Sequence, residues 1–137
     1  MNHFEFTGET KVFLGITLKR IKASVSFSTV IKGQIGGWIE KEENLSGNAW
    51  VSGNAQVYGD AWEKSPLHIV LTRWSLTVSS KTIITIGCNS FTVPKWEEKA
   101  ETIAQKEGMN VDEITEYKLA IQYAKQWMAI YCKSKED

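Results

Sequence analysis

The sequence predicts a β-rich α+β fold in one domain: an N-terminal antiparallel sheet, one short left-handed β-helix coil, a β-hairpin and a C-terminal helical hairpin. Three observations predict it. Apolar residues alternate with period two near the N-terminus, a six-residue repeat fills the middle, and the last third carries helical periodicity with capping signals. A chain of 137 residues suits one domain. Within it, residues 1–34 are expected to form the sheet, 35–63 the coil, 64–90 further strands and 91–133 the helical pair.

In residues 4–27, Val12, Leu14, Ile16 and Leu18 alternate with other residues, the period of a half-buried strand. The apolar phase then moves to Ile21, Ala23, Val25 and Phe27, which requires a bulge or turn near Lys19 and Arg20. Thr7-Gly8-Glu9-Thr10 reads as a turn after a first short strand.

The middle reads Leu45-Ser46-Gly47-Asn48-Ala49-Trp50, Val51-Ser52-Gly53-Asn54-Ala55-Gln56, Val57-Tyr58-Gly59-Asp60-Ala61-Trp62. An aliphatic residue recurs every sixth position with a small Ala four residues later, and Ile39 extends the phase backwards. Such a period marks a parallel β-helix. Each repeat supplies one short strand and one corner. The aliphatic and Ala side chains point inward, and Gly-Asn or Gly-Asp pairs take the left-handed backbone of the corner. Three repeats close one coil of roughly eighteen residues. Together with Gly36-Gly37-Trp38-Ile39-Glu40, this segment resembles the small hexapeptide-repeat proteins carried by bacteriophages and prophages. The likeness continues, more loosely, into Ile86-Gly87-Cys88 and the helical tail. It implies a left-handed coil and a phage origin. It says little about activity, and this chain has few repeats for the group.

After the coil, residues 67–71 and 74–78 read as strands, residues 79–81 as a turn and residues 82–86 as the partner strand. The first helix is expected after Thr92 with Pro94 in its first turn, an apolar face of Trp96, Ala100, Ile103 and Ala104, and a stop at Gly108. Asn110 and Glu113 form a capping box for the second helix, with Met109 and Ile114 as a staple. Its stripe is Ile114, Tyr117, Ile121, Ala124, Trp127, Met128 and Tyr131. About twenty residues span roughly 30 Å, long enough for part of the stripe to meet a neighbouring subunit. Residues 133–137 read as a frayed end.

Several functions are disfavoured. Lys plus Arg equals Asp plus Glu at 16 each, so broad nucleic-acid binding lacks its excess positive charge. The same neutrality favours self-association. Cys88 and Cys132 show no metal-ligand spacing, so no metal and no cofactor are expected. No signal peptide or membrane-spanning run is read, so the expected compartment is the cytoplasm of a bacterial host cell, with both thiols reduced. The resemblance to hexapeptide proteins raises an acyltransferase with a His base, but His3 and His68 lie outside the coil. His68 reads as an ordinary strand residue, and Cys88 as a structural thiol unless a His lies near it.

Trp38 and Trp50 directly precede the aliphatic position, and Trp62 precedes its counterpart, which Glu63 occupies as the repeat ends, so alternation points them outward. They are therefore either covered by the flanking segments or placed, with Trp127, at a subunit interface. Arginine occurs only as Arg20 and Arg73, and Arg73 adjoins Trp74. A guanidinium beside an aromatic plane suits a phosphate and a stacked base. The expected ligand-binding residues are therefore Arg73, Arg20 and Trp74.

Three functions follow. The first is a non-enzymatic phage accessory protein, counter-defensive, that sequesters a small nucleotide-like signalling ligand at a subunit interface. The second is an oligomeric module that inhibits or modifies a host protein. The third, least favoured, is an acyltransferase. The expected partner in every case is the protein itself, as a trimer or hexamer, with the nucleotide-derived molecule or host protein as target and no membrane.

Overall fold

The computed structural model of the chain describes residues 2–132. It is α+β, with two four-stranded sheets, neither of them closed, and two helices. The first sheet takes β1 (Phe4–Phe13), β2 (Ile16–Ala23), β3 (Ile35–Ile39) and β4 (Gln56–Val57) in that order. β1, β2 and β3 are antiparallel in turn, and β3 pairs with β4 in parallel. The second is an antiparallel meander of β5 (His68–Val70), β6 (Ser75–Val78), β7 (Ile84–Ile86) and β8 (Asn89–Phe91).

β1 is one long strand, not two. The expected turn at residues 7–10 is a register shift between Phe6 and Thr10, and the chain reverses instead at Leu14-Gly15, both with positive φ. A two-residue turn of this hand matches the twist of the strands it joins. Val12 and Leu14, expected to be half-buried, are 72% and 61% exposed, because this hairpin tip projects beyond the core. The phase change falls where β2 slips against β3 between Arg20 and Lys22, which turns Leu18, Ile21 and Ala23 all inward.

The repeat segment makes one pass of eighteen residues. Trp38 pairs with Gln56 and Ile39 with Val57, in parallel. Gly47 and Gly53, with φ of +58° and +57°, form its corners. Leu45, Ala49, Val51, Ala55 and Val57 are all buried. The third repeat departs from the expected register. Leu45 bridges Trp62, seventeen residues on. Losing one residue between Val57 and Trp62 exchanges the two faces, so Ala61 is exposed and Trp62 is buried. The outward placement of Trp62 is thereby corrected. Trp38 is also buried and Trp50 half-buried against Phe27. Gln56, which alternation would turn to solvent, is buried as well.

α1 (Val93–Lys106) follows Thr92 with Pro94 at its start. It ends where Gly108 N–H donates to Gln105 O and Met109 N–H to Ala104 O, a Schellman closure. α2 (Val111–Tyr131) begins with the reciprocal Asn110–Glu113 box. Its stripe packs largely within the chain: Tyr117, Ile121, Ala124 and Met128 are buried, and Trp127 meets Trp62. Trp96 of α1 is fully buried and donates its Nε1–H to Ile84 O at 2.7 Å, fixing the helical pair on the apolar face of the second sheet. The expected frayed end, residues 133–137, lies outside the described residues. No helix is long and apolar enough to cross a membrane.

Candidate functional site: a basic cleft between the sheets

The second sheet has two unlike faces. Ile69, Leu76, Ile84 and Ile86 turn towards the helices and join the core. On the other face the register aligns His68, Thr77, Thr85 and Ser90 in one row across all four strands. The row is hydrogen-bonded: His68 Nδ1 lies 3.0 Å from Thr77 Oγ1, and the Thr85 hydroxyl lies 2.7 Å from those of Ser79 and Ser90. Thr77 and Thr85 are nonetheless buried, because the first sheet stands over them.

Between the two lies a cleft of about 590 Å³, a size suited to a small molecule. Its floor is His68, Thr77, Thr85, Ser75 and Val70. Its opposite wall is Gly53, Asn54 and Gln56 of the coil with Lys11 and Phe13 of the β1–β2 hairpin. Leu71, Arg73, Trp74, Gly87 and Cys88 close one end. Lys11, His68 and Arg73 give it three basic groups, and no carboxylate of the described residues lines it.

Burial, partly opposed by a hydrogen bond to the Leu76 backbone, pushes His68 below the ordinary imidazole value, so the ring is neutral at pH 7. Lys11 makes no ion pair among the described residues, and its Nζ sits 4.5 Å above the Trp38 ring. Burial and then the nearby Arg20 hold it below the usual lysine value.

The expected ligand-binding residues are dispersed. Arg73 and Trp74 line the cleft, and Arg20 does not. Arg20 donates from Nε to Gly36 O at 3.1 Å, with its guanidinium 5.2 Å from the other cation's ring, Trp38. The Arg73 guanidinium is engaged within the chain. Nη1 donates to Glu107 O at 2.9 Å, while Nε and Nη2 each reach the Glu113 carboxylate at 3.4 Å. Trp74 has Gly87 against one face of its indole and Tyr117 at its edge. Of the four tryptophans expected at an interface, Trp38 and Trp62 are buried, and Trp50 and Trp127 are half-buried.

Cys88 is exposed and shares the cleft with His68. Cys88 lies in the two-residue turn that joins β7 to β8, while His68 is on β5, two strands away from β7. The described residues contain no cluster of His, Cys, Asp or Glu that would hold a metal.

Sequence reasoning missed Lys11, Phe13, Gln56 and the hydroxyl row. The signal available was the alternation Ser75-Leu76-Thr77-Val78 and Ile84-Thr85-Ile86, which gives a sheet one polar face. No protein-family model matches the chain, and no curated protein or solved structure matches it.

Proposed function

We propose that this is a non-enzymatic binding protein that sequesters a small, anionic, nucleotide-like ligand in the cleft between its two sheets. The observation that carries the reading is the lining: Lys11, which meets no described carboxylate, beside Arg73 and His68, a floor of hydroxyls and the rings of Phe13 and Trp74, with no carboxylate among the described lining residues. Anions are favoured where fixed positive groups face a partly dry cavity. The cleft is assembled within one chain, so the ligand belongs there on this reading rather than between subunits. The likeness of residues 45–62 to phage hexapeptide-repeat proteins supports two further parts of the proposal. The eighteen-residue pass is a left-handed coil, and the ligand is a signalling molecule of the host's defence in its cytoplasm. The test is calorimetric titration of nucleotides, cyclic oligonucleotides and ADP-ribose derivatives into the protein. Binding of none of them ends the reading.

A second reading, the oligomeric module that acts on a host protein, draws on α2, where Leu119, Tyr123 and Ile130 are each more than half exposed on the outer side of the helix. Apolar surface of that kind marks contact sites. Light scattering giving a mass well above 15.5 kDa that falls in Leu119→Glu would support it; a monomer at micromolar concentration would remove it. An acyltransferase has least support, since neither His3 nor His68 lies within the repeat segment.

A further inference from the structure

The charges in the cleft do not balance every anion equally. Arg73 is neutralised by Glu113. Lys11 therefore supplies the one permanent positive charge that meets no carboxylate of the described residues within ion-pairing distance. A monoanion is matched by Lys11 alone. A dianion leaves one negative charge over.

We propose that the cleft selects phosphate monoesters, holding the dianionic group between Lys11 and His68 while His68 takes up a proton from solvent. This rests on the anion-binding reading above. The geometry of His68 suits it. Its Nδ1 is anchored on the Thr77 hydroxyl, which stays satisfied in either charge state because a hydroxyl both donates and accepts. Its Nε2 lies beside Gly53 of the opposite wall, 3.9 Å from where a Cβ would stand. Once protonated, the ring donates from both nitrogens, Nδ1 to Thr77 and Nε2 into the cleft. The other charged or titratable groups sharing the cleft are Lys11, Arg73 and Cys88. Among these His68 is the group that changes charge between pH 5 and 7. Burial keeps it neutral while the cleft is empty, and a phosphate dianion reverses that preference.

The test uses the four ribonucleoside 5′-monophosphates and their 3′,5′-cyclic counterparts, which share base and sugar but differ by one negative charge. At pH 7 the preferred monophosphate is expected to bind at least about tenfold more tightly than its cyclic form, which proton linkage supplies only if the bound imidazole titrates about one unit above the working pH. His68 and His3 are the two histidines of the chain, so imidazole nitrogen resonances report His68 directly, without a variant. Its pKa should rise to about one unit above the working pH at saturating monophosphate. His68→Gln should remove the preference. If no member of either set binds, the anion-binding reading itself falls. If nucleotides bind but His68 does not move, or His68→Gln keeps the full preference, the cleft is an anion site without this selectivity.

Discussion

The side chain of Asn44 stitches the coil to itself through Asp60, donating from Nδ2 to the Asp60 carbonyl at 2.9 Å. Its Oδ1 accepts from the Glu40 and Lys41 backbone N–H groups at 3.0 and 2.9 Å. Asn44 is completely buried. Leu45 and Trp62 bridge immediately beside it, so the amide bonds passes of chain that are sixteen residues apart. Asn44→Ala would leave the Lys41 N–H and the Asp60 carbonyl without partners, a cost of about 2–4 kcal/mol. Urea denaturation should show this as a lower midpoint at unchanged slope. A loss below half a kcal/mol would mean that water replaces the amide at no cost.

Tyr117 presents the opposite case. It is buried between Trp74 and Trp96, and its hydroxyl has no hydrogen-bond partner among the described residues. Burial pushes the phenol well above its ordinary pKa, so it stays protonated at any physiological pH. Tyr117→Phe keeps the ring contacts and removes an unsatisfied polar atom, which should stabilise the fold by about 1 kcal/mol. A lower thermal midpoint for Tyr117→Phe would reveal a partner for that hydroxyl.

The eighteen-residue pass was legible in the sequence because its volume constraint is local. Ala55 is fully buried, and a Cβ at Gly37 would stand 2.9 Å from Ala55 O, so neither position tolerates more. Such close approach writes itself as Gly and Ala at fixed spacing. The third repeat was not legible, because its shift depends on Trp62 finding Trp127 of a distant helix. The cleft was hidden for the same reason: Lys11, Gln56 and His68 meet only when two sheets oppose. Ala55→Leu should overpack the coil and cost about 1–3 kcal/mol. Gln56→Ala, which removes a wall of an open cleft, should cost less. The reverse order of unfolding midpoints would show the register of residues 51–57 to be wrong.

Stability should fall in two stages on acidification. His68 has its folded pKa below the unfolded one. Its contribution is full above about pH 6.5 and is lost as pH falls through that value towards the folded pKa. Three glutamates of the helical pair follow. Glu97 is held low by Gln122 and then Lys125, Glu101 by Lys118, and Glu113 by the Asn110 backbone and then Arg73. Their contribution is full above the unfolded carboxylate value of about 4.3 and disappears as pH falls below it. Glu97 and Glu101 are exposed, so their share of the second stage should be small and should shrink further in 1 M salt. Thermal midpoints recorded from pH 8 to 3 check the order. His68→Gln should erase the first stage and leave the second. Persistence of the first stage in that variant would assign it to another group.

Lys11 and Arg73 should separate cleanly, although both are cations lining one cleft. Arg73 ties the β5–β6 turn to the start of α2 through Glu113, and the adjoining Thr72 reinforces it by bonding Glu116 through both its N–H and its hydroxyl. Removing that guanidinium loosens the attachment of the helical pair while taking little net charge from the cleft, since Glu113 already neutralises it. Lys11 has no such partner among the described residues; it lines the cleft from a projecting hairpin, with its ammonium over the Trp38 ring. Arg73→Ala is therefore expected to lower the thermal midpoint and change nucleotide affinity by less than about threefold. Lys11→Met retains the apolar stem over Trp38 and should leave the midpoint nearly unchanged. It should weaken binding at least about tenfold, or 1.4 kcal/mol, and flatten the dependence of affinity on salt. Binding lost in Arg73→Ala at unchanged stability, with Lys11→Met binding normally, would move the anion from the hairpin side of the cleft to the turn that Arg73 occupies.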